Sequence, residues 1–254
     1  MMQKVRFVVN DNAEFFHHHA RPILGTILHQ EESFREKLIS ALEFSAELPS
    51  SERREGKRIR AGVKAHDVNV VLRQNMSLIF GEDILFEVKE RDGYWEWGQK
   101  KEGFDFAVID HLNNLMRLRN TCFGSKQLYN GDKIWEKTLA DHELYRGLVQ
   151  ENVGRIADLK VGEDGAIPHP HNLPVLGEIQ FGNHALRGVD MFRLMKAHRT
   201  SQIGLIAYVA PTGNLEEHLS SGIVTFDVMK DFLRDFDKEI NVPIWLIGLD
   251  FIAS

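Results

Sequence analysis

Two side chains with chemical potential, Glu178 and Gln180, stand inside the apolar run PVLGEIQF that begins at Pro174. Side chains two apart on a strand share a face, so a carboxylate and an amide point the same way. In apolar surroundings such a pair costs stability unless a metal ion, water or a protein group satisfies it. Carboxylate oxygens suit a hard divalent cation. An amide can orient water or phosphate through hydrogen bonds but brings no charge. A half-exposed strand with a solvated polar face is the plain alternative.

The elements around the pair are readable. Val175, Leu176, Glu178, Ile179, Gln180 and Phe181 form a β-rich run bounded by Pro174 and Gly182, and a segment dense in strong helix formers continues to Arg199. This strand and helix, EIQFGN followed by an aromatic-containing helix, resemble the active-site element of the BglII/BstYI-like branch of the PD-(D/E)xK restriction endonucleases, in which Gln replaces the usual Lys. The similarity continues at LSSGI (Leu219 to Ile223) and VPIWLIGL (Val242 to Leu249) and covers most of the chain from about Arg155 onward.

The resemblance implies a set of roles. Asp158, in ADLK, is the first carboxylate. With Glu178 and the main-chain carbonyl of Ile179 it holds Mg²⁺, while Gln180 takes the place of the Lys. Asn183 matches a base-contacting position, and Ser220 and Ser221 fall in the segment similar to the recognition loop. On the helix itself, Arg187, Arg193 and Lys196 are candidate phosphate contacts, though their angular spread means that not all can reach the same backbone. The family pattern has a short turn between its two carboxylates, whereas His169 stands nine positions before Glu178 here. An enlarged hairpin loop is therefore expected, with Ile156–Val161 as the first strand and Asp164 as the second candidate carboxylate. His169 and His171 offer a ligand or base beside the site. The activity implied is that of a homodimeric type II restriction endonuclease, cutting both strands of a short palindrome in double-stranded DNA and leaving 5′-phosphates.

Composition is compatible with this. A chain of 254 residues can bury one core, and 43% hydrophobic with 27% charged residues is ordinary for a globular protein. The expected architecture is one endonuclease domain over 1–254: N-terminal helices at 11–80, an insertion or divergent region at about 84–150, and a catalytic core at about 154–254. The net charge of -6 excludes a protein that binds nucleic acid through a uniformly basic surface. It leaves room for local basic stretches, of which Arg53–Lys64 is one, either a DNA-backbone arm or a solvent loop. With one cysteine, Cys122, there is no internal disulfide, and with no membrane-length apolar run or signal-peptide pattern the expectation is a cytoplasmic protein.

Taken in order, Asp11 and Glu14 fit a capping box opening a helix, with Pro22 interrupting it. His17, His18 and His19 would point in three directions on that helix and so cannot chelate one ion. A second amphipathic helix is expected over Glu31–Glu47 and a third over Val68–Phe80, then a strand at Ile84–Glu90 turning at Asp92-Gly93 into Tyr94–Trp97, and a strand leading into a helix within Phe104–Arg119. Ile203–Val209 reads as a covered strand, Pro211–Gly222 as a polar loop, Thr225 as the N-cap of a helix, and Val242–Leu249 as a closing strand. Strands alternating with helices give an α/β fold: a restriction-endonuclease-like mixed β-sheet flanked by helices, with insertions. Two competing readings are a nuclease-fold protein that binds DNA or a partner without cutting, and a transition-metal enzyme built on the His169/His171 loop.

Overall fold

The computed structural model describes residues 2–10, 14–16, 32–55, 58–98, 103–124, 127–152, 174–182, 186–200, 203–236, 238–239 and 243–253. In chain order the elements are β1 (Met2–Val9), β2 (Glu14–Phe16), α1 (Glu32–Leu42), β3 (Ser45–Pro49), β4 (Ser51–Glu55), β5 (Arg58–Gly62), α2 (Ala65–Phe80), β6 (Ile84–Arg91), β7 (Tyr94–Glu96) and β8 (Phe104–Val108). There follow α3 (His111–Phe123), α4 (Gly131–Asp141), α5 (Glu143–Glu151), β9 (Val175–Ile179), α6 (Leu186–Thr200), β10 (Leu205–Pro211), α7 (Gly213–His218), α8 (Phe226–Asp235) and β11 (Ile244–Ala253).

One mixed sheet runs in the order β3-β1-β11-β10-β9-β8-β6-β7, with β2 also paired to β11. β9, β10 and β11 are parallel and are joined through α6 and α8, while β8 lies antiparallel against β9 and β6 antiparallel against β8. This is the mixed sheet with flanking helices expected from the pattern. The covered middle strand is real: every residue of β10 is buried.

Each face of the sheet has its own core. On one, Phe34, Leu38 and Leu42 of α1 and Val68, Leu72 and Met76 of α2 pack against Val175, Ile179, Val209, Ile247 and Phe251. On the other, Met191 of α6 and Phe226, Met229 and Leu233 of α8 pack against Leu176, Ile206, Tyr208 and Leu246. Thr225 caps α8 as expected, its hydroxyl accepting from the Val228 N–H at 3.4 Å. A third cluster of Tyr94, Leu115, Leu118, Cys122 and Tyr145 holds α3 and α5 beside the hairpin.

Several local expectations are corrected. A helix opening at Asp11 is not found: Glu14–Phe16 is a strand, its residues paired with Ile244–Leu246. Edge pairing to β11 outweighs a capping pattern that had no tertiary information in it. The helix expected over Glu31–Glu47 stops at Leu42, because Ser45–Pro49 pairs with β1. The basic stretch near Arg53 is not a loop but a two-stranded ribbon, β4 against β5. Most of the polar segment after Pro211 is the short helix α7. The histidines at 17–19, 169 and 171 lie outside the described residues.

Candidate active site

The site forms where β8 and β9 stop pairing. Their ladder runs Val108↔Val175, Ala107↔Leu176 and Phe106↔Gly177. One step further, Asp105 stands opposite Glu178. There the N–H of Ile179 donates to Asp105 Oδ2 at 2.8 Å, so a side chain replaces the backbone acceptor. The two carboxyl groups are hydrogen-bonded to each other. Gly177 is required for this close approach, since a Cβ there would come within 1.9 Å of the Phe106 ring.

Glu178 and Gln180 are buried, at 5% and 8% exposure, which removes the solvated-face alternative. Protein groups satisfy both. Arg193 Nη1 donates to Glu178 Oε1 at 2.6 Å and to the Gly103 carbonyl at 2.8 Å. Gln180 Oε1 accepts from the Gly182 N–H at 2.7 Å, and Nε2 donates to Asp190 Oδ2 at 2.5 Å. The same amide is hydrogen-bonded to the Tyr208 hydroxyl, which also donates to Asp190 at 3.3 Å. On the far side Arg73 bridges Asp105, at 2.8 Å, and Glu87, at 2.5 Å. Glu87 sits at φ 53° within β6, a backbone conformation that a non-glycine residue adopts only where its surroundings enforce it.

Charge in this site is finely balanced. Burial pushes the Glu178 carboxyl well above the usual carboxylate range, and Asp105 and Asp190 push it further, against the pull of Arg193. Burial also raises Asp105, opposed first by the Ile179 N–H and then by Arg73. Asp190 is raised by burial against its hydrogen bond from Gln180. The side chain of Asp105 is 23% exposed and that of Glu178 only 6%, so the pair opens to solvent on the Asp105 side.

Two carboxylates sharing a proton form a donor pair that a hard divalent cation can take over, the proton leaving as the ion binds. Among the described residues no three His, Cys, Asp or Glu side chains converge as a metal-binding group. The pair supplemented by the Ile179 carbonyl and by substrate oxygens is the set that Mg²⁺ accepts, since that ion keeps waters and uses only one or two carboxylates. The residues present therefore fit the ion.

The expected neighbour of β9 was a hairpin strand at Ile156–Val161. Instead both edges of β9 are occupied, by β8 and by β10, and among the described residues it is Asp105 that stands opposite Glu178. Asp158 and Asp164 lie outside the described residues, as does Asn183, and Arg187 is placed by its backbone in α6. Ser220 and Ser221 are exposed between α7 and α8. Arg193, one of the three candidate phosphate contacts, is paired with Glu178. Asp105, Asp190, Tyr208 and Arg73 were missed. Asp105 carried a signal: FDFAV places a lone carboxylate in an apolar strand, as PVLGEIQF does.

The fold is a mixed β-sheet flanked by helices, with carboxylates gathered where β8 and β9 part. Residues 132–249 match the family model described as restriction endonuclease BglII/BglIII. This part of the chain is similar to the BglII/BglIII restriction endonucleases. The matched segment contains Glu178, Gln180, Arg193 and also Asp158, whereas Asp105 precedes it. No curated protein matches the chain. Among solved structures, that of restriction endonuclease BglII complexed with a DNA 16-mer aligns at 10% identity and a TM-score of 0.48, covering 97% of this chain and 76% of that one. Among the described residues no helix is long and apolar enough to cross a membrane.

Proposed function

We propose that the protein acts as a homodimer on double-stranded DNA, cutting both strands of a short palindrome in an Mg²⁺-dependent hydrolysis that leaves 5′-phosphates. The observation that carries this reading is the face-to-face pair Asp105 and Glu178 at the point where β8 and β9 part. In this reading Glu178, Asp105 and the Ile179 carbonyl hold the metal. When bound, the ion polarises the phosphoryl group and lowers the pKa of a water, giving a nucleophile near neutral pH.

Hydrolysis forms a bond from the water oxygen to phosphorus and breaks the bond to the 3′ oxygen, which leaves with a proton as a hydroxyl. The chain's own groups prepare for this. Arg73 and the Ile179 N–H favour the ionised form of Asp105. Gln180 ties the end of β9 to α6 through Asp190, so that it positions the strand carrying Glu178. Ser220 and Ser221, on an exposed connection, Asn183, shortly before α6 in sequence, and Arg187, in the first turn of α6, supply the contacts to DNA. A palindromic target follows from twofold symmetry, which would present one site to each strand.

Incubating the purified protein with plasmid DNA and Mg²⁺ tests the reading. Discrete fragments are expected from the wild type, and none from Glu178→Ala, which should still shift the same DNA in a gel. A Glu178→Ala protein that still cuts would remove the site from the mechanism.

A further inference from the structure

We propose that Arg193 is the cation of this nuclease site: its guanidinium holds Glu178 in the metal-free protein and passes to a nonbridging oxygen of the scissile phosphate when metal and DNA arrive. The inference rests on the nuclease reading above and adds to it a residue that binds the reacting group.

Gln180 cannot fill this role. It is neutral, and its polar atoms are already engaged by the Gly182 N–H, by Asp190 and by Tyr208. Turning it toward a phosphate would break bonds in a buried setting. Arg193 has the charge and the position. It lies one helical turn from Asp190 on α6, and its side chain is 25% exposed and paired with a carboxylate that is only 6% exposed.

Its hold on Glu178 uses little of what a guanidinium offers. Among the described residues Nη1 makes both hydrogen bonds, one to Glu178 Oε1 and one to the Gly103 carbonyl, and Nη2 stays 3.8 Å from Asp190. That single-nitrogen grip contrasts with the bidentate fork for which arginine is suited, and which two nonbridging phosphate oxygens would satisfy. A divalent cation on Glu178 brings more positive charge than the arginine does and makes it redundant there. Asp190, the Gly103 carbonyl and the Phe104 ring, 6.0 Å from the guanidinium carbon, keep the released side chain beside the site.

A binding cycle tests this without relying on turnover. Once the cut is mapped, two duplexes are compared in Ca²⁺, with the DNA verified uncut: one natural, one carrying a neutral methylphosphonate at the scissile linkage. Wild-type protein should prefer the natural duplex by a factor that shrinks about tenfold in Arg193→Ala and is partly kept in Arg193→Lys. Cleavage by Arg193→Ala at saturating Mg²⁺ should fall by roughly 10²-fold to 10³-fold, as when one preorganised charge-stabilising donor is lost. If Arg193→Ala does not fold, Arg193→Gln, which can still donate to Glu178, takes its place in the cycle. The same phosphate preference in wild type and variant would overturn the assignment, since a merely structural arginine would not read that one charge. Glu178→Ala separates the two failures. A dead Glu178→Ala with an unchanged Arg193 ratio sinks the arginine alone, whereas a Glu178→Ala that cuts sinks both.

Discussion

Strand β9 makes two unlike faces from alternate residues of one short run. Val175 and Ile179 join a core shared with α1 and α2. Glu178 and Gln180, pointing the other way, meet Asp105, Asp190, Tyr208 and Arg193 beneath α6. Both faces are buried to a similar degree, so solvent exposure does not distinguish them. What differs is how burial is compensated. The apolar face gains by transfer from water, about 25 cal/mol per Å². The polar face must match each donor to an acceptor and each charge to a counter-charge, and it does so by bringing in partners from β8, β10 and α6. Stability on one face supports a buried arrangement of charge on the other.

The largest expected effect breaks the polar face. Asp105→Asn keeps an oxygen for the Ile179 N–H and removes the negative charge, so the fold should persist while cleavage falls at least about 10²-fold. Asp158→Ala is the matching control and should cut within about threefold of wild type, the change expected away from such a charge. Measured digestion rates on one plasmid substrate decide between them. An inactive Asp158→Ala beside an active Asp105→Asn would move the first carboxylate to the segment between α5 and β9.

The apolar face can be broken with no change of charge. Gly177→Ala forces a methyl group into the Phe106 ring, which is fully buried and has nowhere to go. Overpacking of this kind costs about 1–3 kcal/mol. The urea midpoint should drop accordingly, and specific activity per folded molecule should drop too, because Gly177 lies directly opposite Phe106 where the strands begin to part. An unchanged midpoint would mean that β8 and β9 are not held as tightly as their register requires.

How much of this was legible depended on distance along the chain. The strand Val175–Ile179, the helix after it, the covered strand β10 and the cap at Thr225 were all readable, since each depends on neighbours a few residues away. Glu178 and Gln180 stood out for the same reason. Their partners did not. The carboxylate that bonds the Ile179 N–H is 74 residues upstream, where a local hairpin pattern pointing to Asp158 does not reach. Arg193 and Asp190 looked like ordinary polar positions on a helix, because nothing in their spacing says which face turns toward the sheet. Pairing between distant strands also explains β2, where a capping pattern pointed to a helix.

The smallest expected effect sharpens the comparison through pH. Because the folded protein raises the pKa of Glu178, its protonated form is the one the fold favours. That contribution to stability is complete below the ordinary glutamate pKa and is lost as pH rises through the raised value. The metal-free protein should therefore lose stability as pH rises above the ordinary glutamate range. Glu178→Gln should flatten this dependence, since its amide oxygen can accept from Arg193 and its amide nitrogen can donate to Asp105 at every pH. Toward the upper end of that rise in pH the variant should melt above wild type. Ile179→Val, on the opposite face of the same strand, should cost about 0.5–1.5 kcal/mol with no pH dependence. Added Mg²⁺ should stabilise the wild type and leave Glu178→Gln nearly unmoved, because an ion that binds only the native carboxylate shifts only that protein's unfolding. A parallel pH profile in wild type and Glu178→Gln would show that the buried charge is carried elsewhere on the polar face, with Asp190 the next residue to change.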